Sequence, residues 1–573
     1  MKIQMNNPWW FIKIKLDMKK TLLTITAILA IGISLNAQEF LEKSEVHGSF
    51  ETDGMFYQAD NALGITDTLI NGKNFGFNAF ADIIYTLGDF TAGFRYEAYA
   101  PPIAGFDPRL EGQGFPYLWA TYATENYSFT VGNFYEQFGN GMVLRTYQEW
   151  TLGYDNSING VRVIAKPVKG MILKGVYGTQ RFFWNKWEKN ARGIVKGVDA
   201  ELNFNDLFSS MAGSKLKLTL GGSAVSKYQV DDNPFYKMPQ NVAAFAGRFN
   251  VGLGKFNFTS EYAYKINDPS AVNNYIYKDG QGLVFTGSYS TAGLGLFAMF
   301  KRYDNMSYKS DQSVNGNALH INYLPALTED HIYMLASMYP YATQPNGEIG
   351  FQIQVNYKIP KDTWIGGKYG AGLSVNFSQI NDIDRQKAHD TAGINQSGTL
   401  GYKSDFFKFG KDVFNRDLTV AINKKFSKKV KGIFTLINQE YNQAVVLGHT
   451  GEPNVKANIA ILDMTYKFTS NKALRGEFQG LWTKEDKQDW AAILLEYTIS
   501  PHWFFSVADQ YNYGNEIKAN RLHYYTGSFG YTYQTTRIAV TYGRQREGVV
   551  CVGGVCRQVP ASNGFSITLS SNF

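Results

Sequence analysis

Hydrophobic and polar residues alternate one for one along most of this chain. In 75–87, Phe75, Phe77, Ala79, Ala81, Ile83, Tyr85 and Leu87 share one face, and Gly76, Asn78, Asp82 and Thr86 share the other. After Gly88-Asp89 the pattern resumes, with Phe90, Ala92, Phe94, Tyr96 and Ala98 set against Thr91, Gly93, Arg95, Glu97 and Tyr99. Strand side chains point to opposite faces in turn, so each segment separates an apolar wall from a polar one. Asp82, Arg95 and Glu97 would be costly in a sandwich core. They suit the lumen of a barrel whose outside faces lipid.

Such segments recur from 47–58 to 562–573, about 24 in all with bounds of about 20 and 26, and an even number is the rule for such barrels. They include 365–378, 416–427 and 430–441. Short connections such as Gly88-Asp89, Asn126, Lys428-Lys429 and Ser500-Pro501 alternate with long ones such as 59–74, 136–157, 306–346, 379–415 and 547–561. This predicts an all-β, transmembrane, up-and-down antiparallel barrel. A barrel wider than the porins is usually plugged, so its lumen is expected to be partly filled by long loops. Only residues 38–46 precede the first strand, too few for an N-terminal plug domain. Tyr117, Trp119, Trp482, Trp490, His502-Trp503 and Tyr524-Tyr525 lie near strand ends, where interfacial girdles form.

The front of the chain reads as an address. Met18-Lys19-Lys20, the uncharged run Thr21 to Leu35 and Asn36-Ala37-Gln38 make a Sec signal peptide with cleavage near Ala37, although Leu35 is large for its position. The residues before Met18 read as an upstream extension, and 38–573 as one outer-membrane barrel of a Gram-negative bacterium. The last strand alternates Phe565, Ile567, Leu569 and Phe573 with Ser566, Thr568, Ser570 and Asn572. A terminal Phe573 resembles the signal by which the barrel assembly machinery recognises its substrates. The surrounding lipid would include lipopolysaccharide.

Composition narrows the chemistry. The 573 residues are 44% hydrophobic and 18% charged, with Phe 41, Tyr 37, Trp 10 and Gly 56, which excludes disorder. The net charge of +7 is mostly the leader. Residues 1–37 hold five lysines and one aspartate, leaving 51 basic against 48 acidic side chains, or +3, which gives no support for nucleic-acid binding.

The long connections hold the candidate lumen chemistry. From Gly132 to Gly141 the chain mixes rings and glycines with Glu136. It continues through Arg145, Tyr147, Glu149, Trp150 and Asp155 to Arg162. With Arg95 and Glu97, these charged residues are the candidates for a constriction. The alternative is an ordinary external loop. In 306–346, Thr328-Glu329-Asp330 reads as a helix start before His331 to Ala336, with Pro340 as its stop. Its flanks Tyr323 to Leu327 and Tyr339 to Pro345 are too apolar to stay in water, and should pack on the lumen or a partner. In 379–415, Asp382, Asp384, Arg385, Lys387, His389 and Asp390 read as a solvated loop rather than a metal site. Arg181 to Trp187 could stack on a sugar ring, though loop packing explains those rings as well.

The stretches Gly132 to Gly141, Tyr323 to Leu327, Tyr339 to Gly347 and Cys551 to Arg557 resemble those of an uncharacterised outer-membrane barrel family of Bacteroidota. That resemblance implies location and fold, and names neither substrate nor catalytic residue. Cys551 and Cys556 enclose Val-Gly-Gly-Val, a spacing that allows a local disulfide in an oxidising compartment. No HExxH, GxSxG or GxxxxGK motif is present, so no enzyme, metal or cofactor is expected. Two readings follow. One is a porin-like channel or passive transporter constricted by its own loops. The other is a structural barrel in an outer-membrane secretion, assembly or attachment machine, holding an envelope protein partner.

Overall fold

The computed structural model describes residues 44–66, 74–184, 193–552 and 555–573. The expected signal peptide, Asn185 to Trp187 and the glycines between the cysteines lie outside them. Twenty-four strands form one sheet in which each pairs antiparallel with the next. The first, Ser44–Tyr57, pairs with the second, Phe75–Leu87, and also with the last, Ser562–Asn572, with Thr52 opposite Leu569. That last pairing closes the barrel and leaves no sheet edge.

The alternation gives the wall its two faces. On the strand Val430–Tyr441, Phe434 and Leu436 are 43% and 47% exposed, while Thr435 and Ile437 are 5% and 3%. Phe94, Leu118, Phe249, Phe285, Leu462 and Phe529 repeat the outward pattern around the circumference. A water-soluble monomer does not expose an apolar band of this extent, so the outer face is one that lipid covers.

Two boundaries differ from the pattern reading. The segment expected at 365–378 forms Ala371–Gln386, and the one expected at 416–427 forms Lys403–Lys425, a strand of 23 residues. Above the membrane a strand needs no apolar face, so the charged stretches Asp382 to Arg385 and Lys403 to Lys411 extend the hairpin without the alternation that marks the rest. Most of 379–415 is therefore the arms of this hairpin. Its exposed residues include Phe407 and Lys408, while Tyr402 is buried.

The girdle also needs correction. Trp482, Trp503 and Tyr525 are exposed on the outside. Tyr117 and Trp490 are buried in the lumen, and Tyr524 packs there against a buried cluster, because each falls on the inward phase of its strand.

At the seam, the backbones of Gly48 and Phe573 exchange two hydrogen bonds of 2.9 Å, and the Phe573 ring covers Gly48 on the outer wall. A Cβ at Gly48 would lie 2.3 Å from that ring, so a larger residue there would push the Phe573 ring off the wall. A charge placed mid-wall tests the lipid-facing assignment. Leu436→Arg is expected to cost roughly 2–4 kcal/mol, read by urea unfolding in liposomes. A cost under 0.5 kcal/mol, about that of an ordinary surface change, would contradict it.

Candidate functional site

All the long connections leave the end of the barrel opposite the termini, and two of them turn back into the lumen. The stretch 135–157 folds into two short hairpins, pairing Gln137–Phe138 with Leu144–Arg145 and Gln148–Glu149 with Tyr154–Asp155. Phe138, Met142, Val143 and Leu144 are fully buried against the inward residues Val176, Val195, Val225 and Val242. The stretch 305–347 adds Met306, Tyr308, Ile321 and Leu324 to the same cluster. It then reaches a second part of the wall, where Leu335, Met338 and Tyr339 pack on Ile437, Ile459, Leu481 and Trp490. The apolar flanks thus find their partner in the lumen.

The helix expected after Thr328 does not form, and only the turn Ala336–Met338 is helical. The wall claims this backbone instead. The Leu335 N–H donates to Gln479 Oε1 at 3.0 Å, and Gln439 Nε2 donates to the Tyr339 carbonyl at 3.0 Å. His331 and Tyr333 reach down to Asp417 and Asp463, at 2.8 and 3.2 Å.

The same device recurs along the plug. Lys227, Lys265 and Lys301, each 1% exposed or less, donate through Nζ to the carbonyls of Lys309, Ser307 and Pro325 at 2.6, 2.7 and 3.0 Å. Glu261 accepts from the Asn140 N–H at 2.7 Å, and Asn322 donates to the Met142 and Met306 carbonyls at 3.2 and 2.8 Å. Backbone without secondary structure would otherwise leave its polar groups unpaired in a low-dielectric interior. Counter-charges keep the lysines tolerable, with Lys227 to Asp268 at 2.7 Å and Lys301 to Glu348 at 2.6 Å.

The constriction candidates separate into groups. Arg95 sits among Asp82, Asp155 and Glu97 at 2.9, 3.4 and 3.6 Å, and stacks over Tyr117 and Trp150. Arg181 binds Glu97 with both nitrogens at 2.7 and 2.8 Å and Asp155 at 2.7 Å. Burial alone would raise the Asp155 carboxyl, but Arg181 and Arg95 outweigh it and hold it below the usual range. Glu136 meets Lys174 at 2.8 Å and Arg162 at 3.7 Å in a second group. Arg145 stands apart with its guanidinium over the Tyr323 and Tyr147 rings, and Glu149 caps the turn Trp150–Leu152. Except for Arg145 and Glu149, these residues cross-link the plug and the wall.

Lys227, Lys265, Lys301, Glu348, Gln439 and Gln479 were not singled out by sequence. The available signal was a long polar side chain on an inward position in the half of a strand nearer the long loops. Cys551 and Cys556 lie opposite each other in the hairpin Gly548–Val552/Val555–Val559 and form a disulfide. Asn317 of the plug donates to the Cys556 carbonyl at 2.7 Å, so this hairpin leans inward. Among the described residues no cluster of metal-ligating side chains occurs.

Cavities remain among the described residues around the plug. One of about 430 Å³ lies at the long-loop mouth among Phe106, Trp150, Phe183, Arg109 and Arg181. In this loop, Trp184 donates to the Leu110 carbonyl at 2.7 Å, a packing role. The larger, about 690 Å³, separates plug residues 328–341 from a wall of Asp53, Thr526, Thr541, Ser566 and Thr568, beside the seam. Elsewhere the plug occupies only part of the depth. On the strand Val455–Lys467, inward residues Val455 to Asp463 are buried, whereas Thr465 and Lys467 are progressively open.

Two tests follow from this chemistry. Lys301→Met leaves the Glu348 carboxylate without its counter-charge in the interior and is expected to cost about 3–5 kcal/mol, while Lys301→Met with Glu348→Gln, which keeps an acceptor for the Tyr341 hydroxyl and the Gln344 N–H, should recover most of it. A double variant no better than the single one would refute the pairing. At His331, burial favours the neutral ring, but the Asp417 carboxylate outweighs it and raises the pKa. A pKa raised by folding gives stability that is complete below about 6.5 and lost as pH climbs through the folded value. Amide exchange in 328–335, corrected for base catalysis, should therefore be slower at about pH 6 than above about pH 8. His331→Asn should remove the difference.

The fold has solved relatives at low identity. The translocation pore of the P pilus usher PapC aligns over 92% of this chain and 99% of its own, at 9% identity and a TM-score of 0.45. The ferric enterobactin receptor PfeA from Pseudomonas aeruginosa aligns over 92% and 81%, at 11% identity and a TM-score of 0.42. The copper transporter OprC aligns over 93% and 80%, at 8% identity and a TM-score of 0.37. Among curated proteins none matches by sequence. Over residues 18–573 the chain matches the model of a family of unknown function, DUF6029, and it belongs to that family.

Proposed function

We propose that this protein is an outer-membrane channel narrowed by its own loops, in which solutes pass along the seam wall. The observation that carries this reading is the cavity of about 690 Å³ between plug and wall. The plug is bonded to most of the circumference, yet it leaves Thr526, Thr541, Ser566 and Thr568 facing space. Short hydroxyl side chains there offer hydrogen bonds without closing the path. Arg95, Glu97, Glu136, Asp155 and Arg162 then serve to hold the constriction in shape rather than to touch solute.

On this reading the long loops face outward, toward lipopolysaccharide, and the short turns and termini face the periplasm. The chain is exported by the Sec route with cleavage near Ala37, and Phe573 is read by the assembly machinery. The structural-barrel reading drew on the apolar flanks in 306–346. Those flanks are spent on the lumen, which removes its main support.

Single-channel recording in planar bilayers tests the proposal. The purified barrel should give stable steps. Replacing 328–338 with a glycine-serine linker should enlarge them severalfold, and Thr568→Trp should reduce them. A silent wild-type barrel, or steps indifferent to both changes, would overturn it.

A further inference from the structure

The cavity of about 430 Å³ at the long-loop mouth is within the size range of small-molecule sites. Its base is a buried cluster of Phe80, Tyr99 and Leu110. Phe106, Trp150 and Phe183 pack on that base and keep part of each ring open. The amides of Gln148, Asn315 and Asn317 line the same space.

Six charged side chains also line it, and five of them are spent on one another. Arg109 grips Asp107 through Nε and Nη2 at 3.0 and 2.6 Å. Arg181 holds both Glu97 and Asp155, and Arg95 adds to Asp155 from behind. Arg557 is the exception. Among the described residues no carboxylate pairs with it, its buried Nε has no hydrogen-bond partner, and its Nη1 reaches only the Ala104 carbonyl at 3.5 Å. Its guanidinium lies over the Phe106 ring, 4.0 Å from the centroid. Gly105, at φ +88°, lets the two connections meet there, since a Cβ would lie 2.8 Å from the Gln558 carbonyl oxygen and 2.9 Å from Arg557 Nη1. The cation is thus held by ring and backbone rather than by an anion. Burial pushes its pKa below the ordinary arginine value, so an arriving carboxylate would relieve a standing cost.

We propose that this cavity binds a sugar ring bearing a single carboxylate, its acid on Arg557, its ring face on the aromatic side chains and its hydroxyls on the amides. Sugar C–H groups present positive hydrogens, which suit the negative face of an aromatic ring. A neutral sugar would leave Arg557 without a counter-charge, and an aromatic acid would leave the amides unmatched. A phosphomonoester carries about −1.5 to −2 at neutral pH, more than one free guanidinium answers beside Glu97, Asp107 and Asp155. The inference is independent of whether the barrel conducts.

Isothermal titration calorimetry on the full barrel in phosphatidylcholine nanodiscs tests it. The probes are cellobiouronic acid (glucuronic acid linked to glucose), cellobiose, benzoate and glucose 1-phosphate. Cellobiouronic acid should bind at least about tenfold more tightly than cellobiose or benzoate, the factor that one charged hydrogen-bonded contact supplies. Arg557→Gln should bring the acid down to the level of cellobiose and leave cellobiose unchanged. Arg557→Lys, which keeps the charge, should restore part of the difference. Phe183→Ala should weaken both sugars alike. Equal affinity for the acid and cellobiose in the wild type, or acid binding indifferent to Arg557→Gln, would overturn the proposal. Loss of both sugars in Arg557→Gln with no rescue by Arg557→Lys would do the same, since the arginine would then only hold the hairpin. So would benzoate as tight as the acid, which would make this a site for aromatic acids, or tighter glucose 1-phosphate, which would make it one for phosphorylated headgroups.

Discussion

Everything inside this barrel depends on satisfying backbone that has no secondary structure of its own. A loop at membrane depth has little water to bond, and each orphaned N–H or C=O costs free energy comparable to a lost hydrogen bond. The wall meets that demand with side chains. Lys227, Lys265 and Lys301 reach carbonyls of the plug, Glu261 and Gln479 take its N–H groups, and Gln439 holds Tyr339. The helix that 328–336 could have made in isolation gives way to this arrangement, because anchoring to the wall satisfies the same groups and buries Leu335 and Met338 besides.

The charges follow from the first requirement. An ammonium group long enough to reach a loop carbonyl must be buried, and a buried ammonium group needs a carboxylate beside it. Asp268 and Glu348 supply it for Lys227 and Lys301. The network of Arg95, Arg181, Glu97 and Asp155 does the same work between the hairpins and the wall. Such networks add little net stability over apolar packing, but they admit few alternative placements of the plug. Their absence matters equally. The seam wall offers short hydroxyls at Thr526, Thr541, Ser566 and Thr568, with the longer Gln510, Arg544 and Arg546 toward the long-loop end, and between it and the plug a cavity of about 690 Å³ remains. On the channel reading, the passage would be the part of the circumference that does not hold the plug.

Much of the architecture was legible in the residue pattern. Strict alternation in segments such as 75–87 and 90–99 is a local consequence of strand geometry between lipid and water, so Phe94 outside and Arg95 inside could be assigned without any contact being known. Alternation fell short where its cause was absent. Above the membrane the strands Ala371–Gln386 and Lys403–Lys425 lose the apolar phase and run on as charged ribbon. Tyr117 and Trp490 matched the composition of a girdle, yet their phase sends them into the lumen.

By itself, then, the sequence determined the wall: strand number, the outward face, closure and the inward-facing candidates, since each is set by neighbours one or two positions away. The plug was decided by tertiary structure. Whether Arg95 meets Asp155, whether Lys301 serves Pro325, and which side of the lumen stays open depend on groups brought together from distant strands. A loop without periodicity carries no local record of the wall it will rest on.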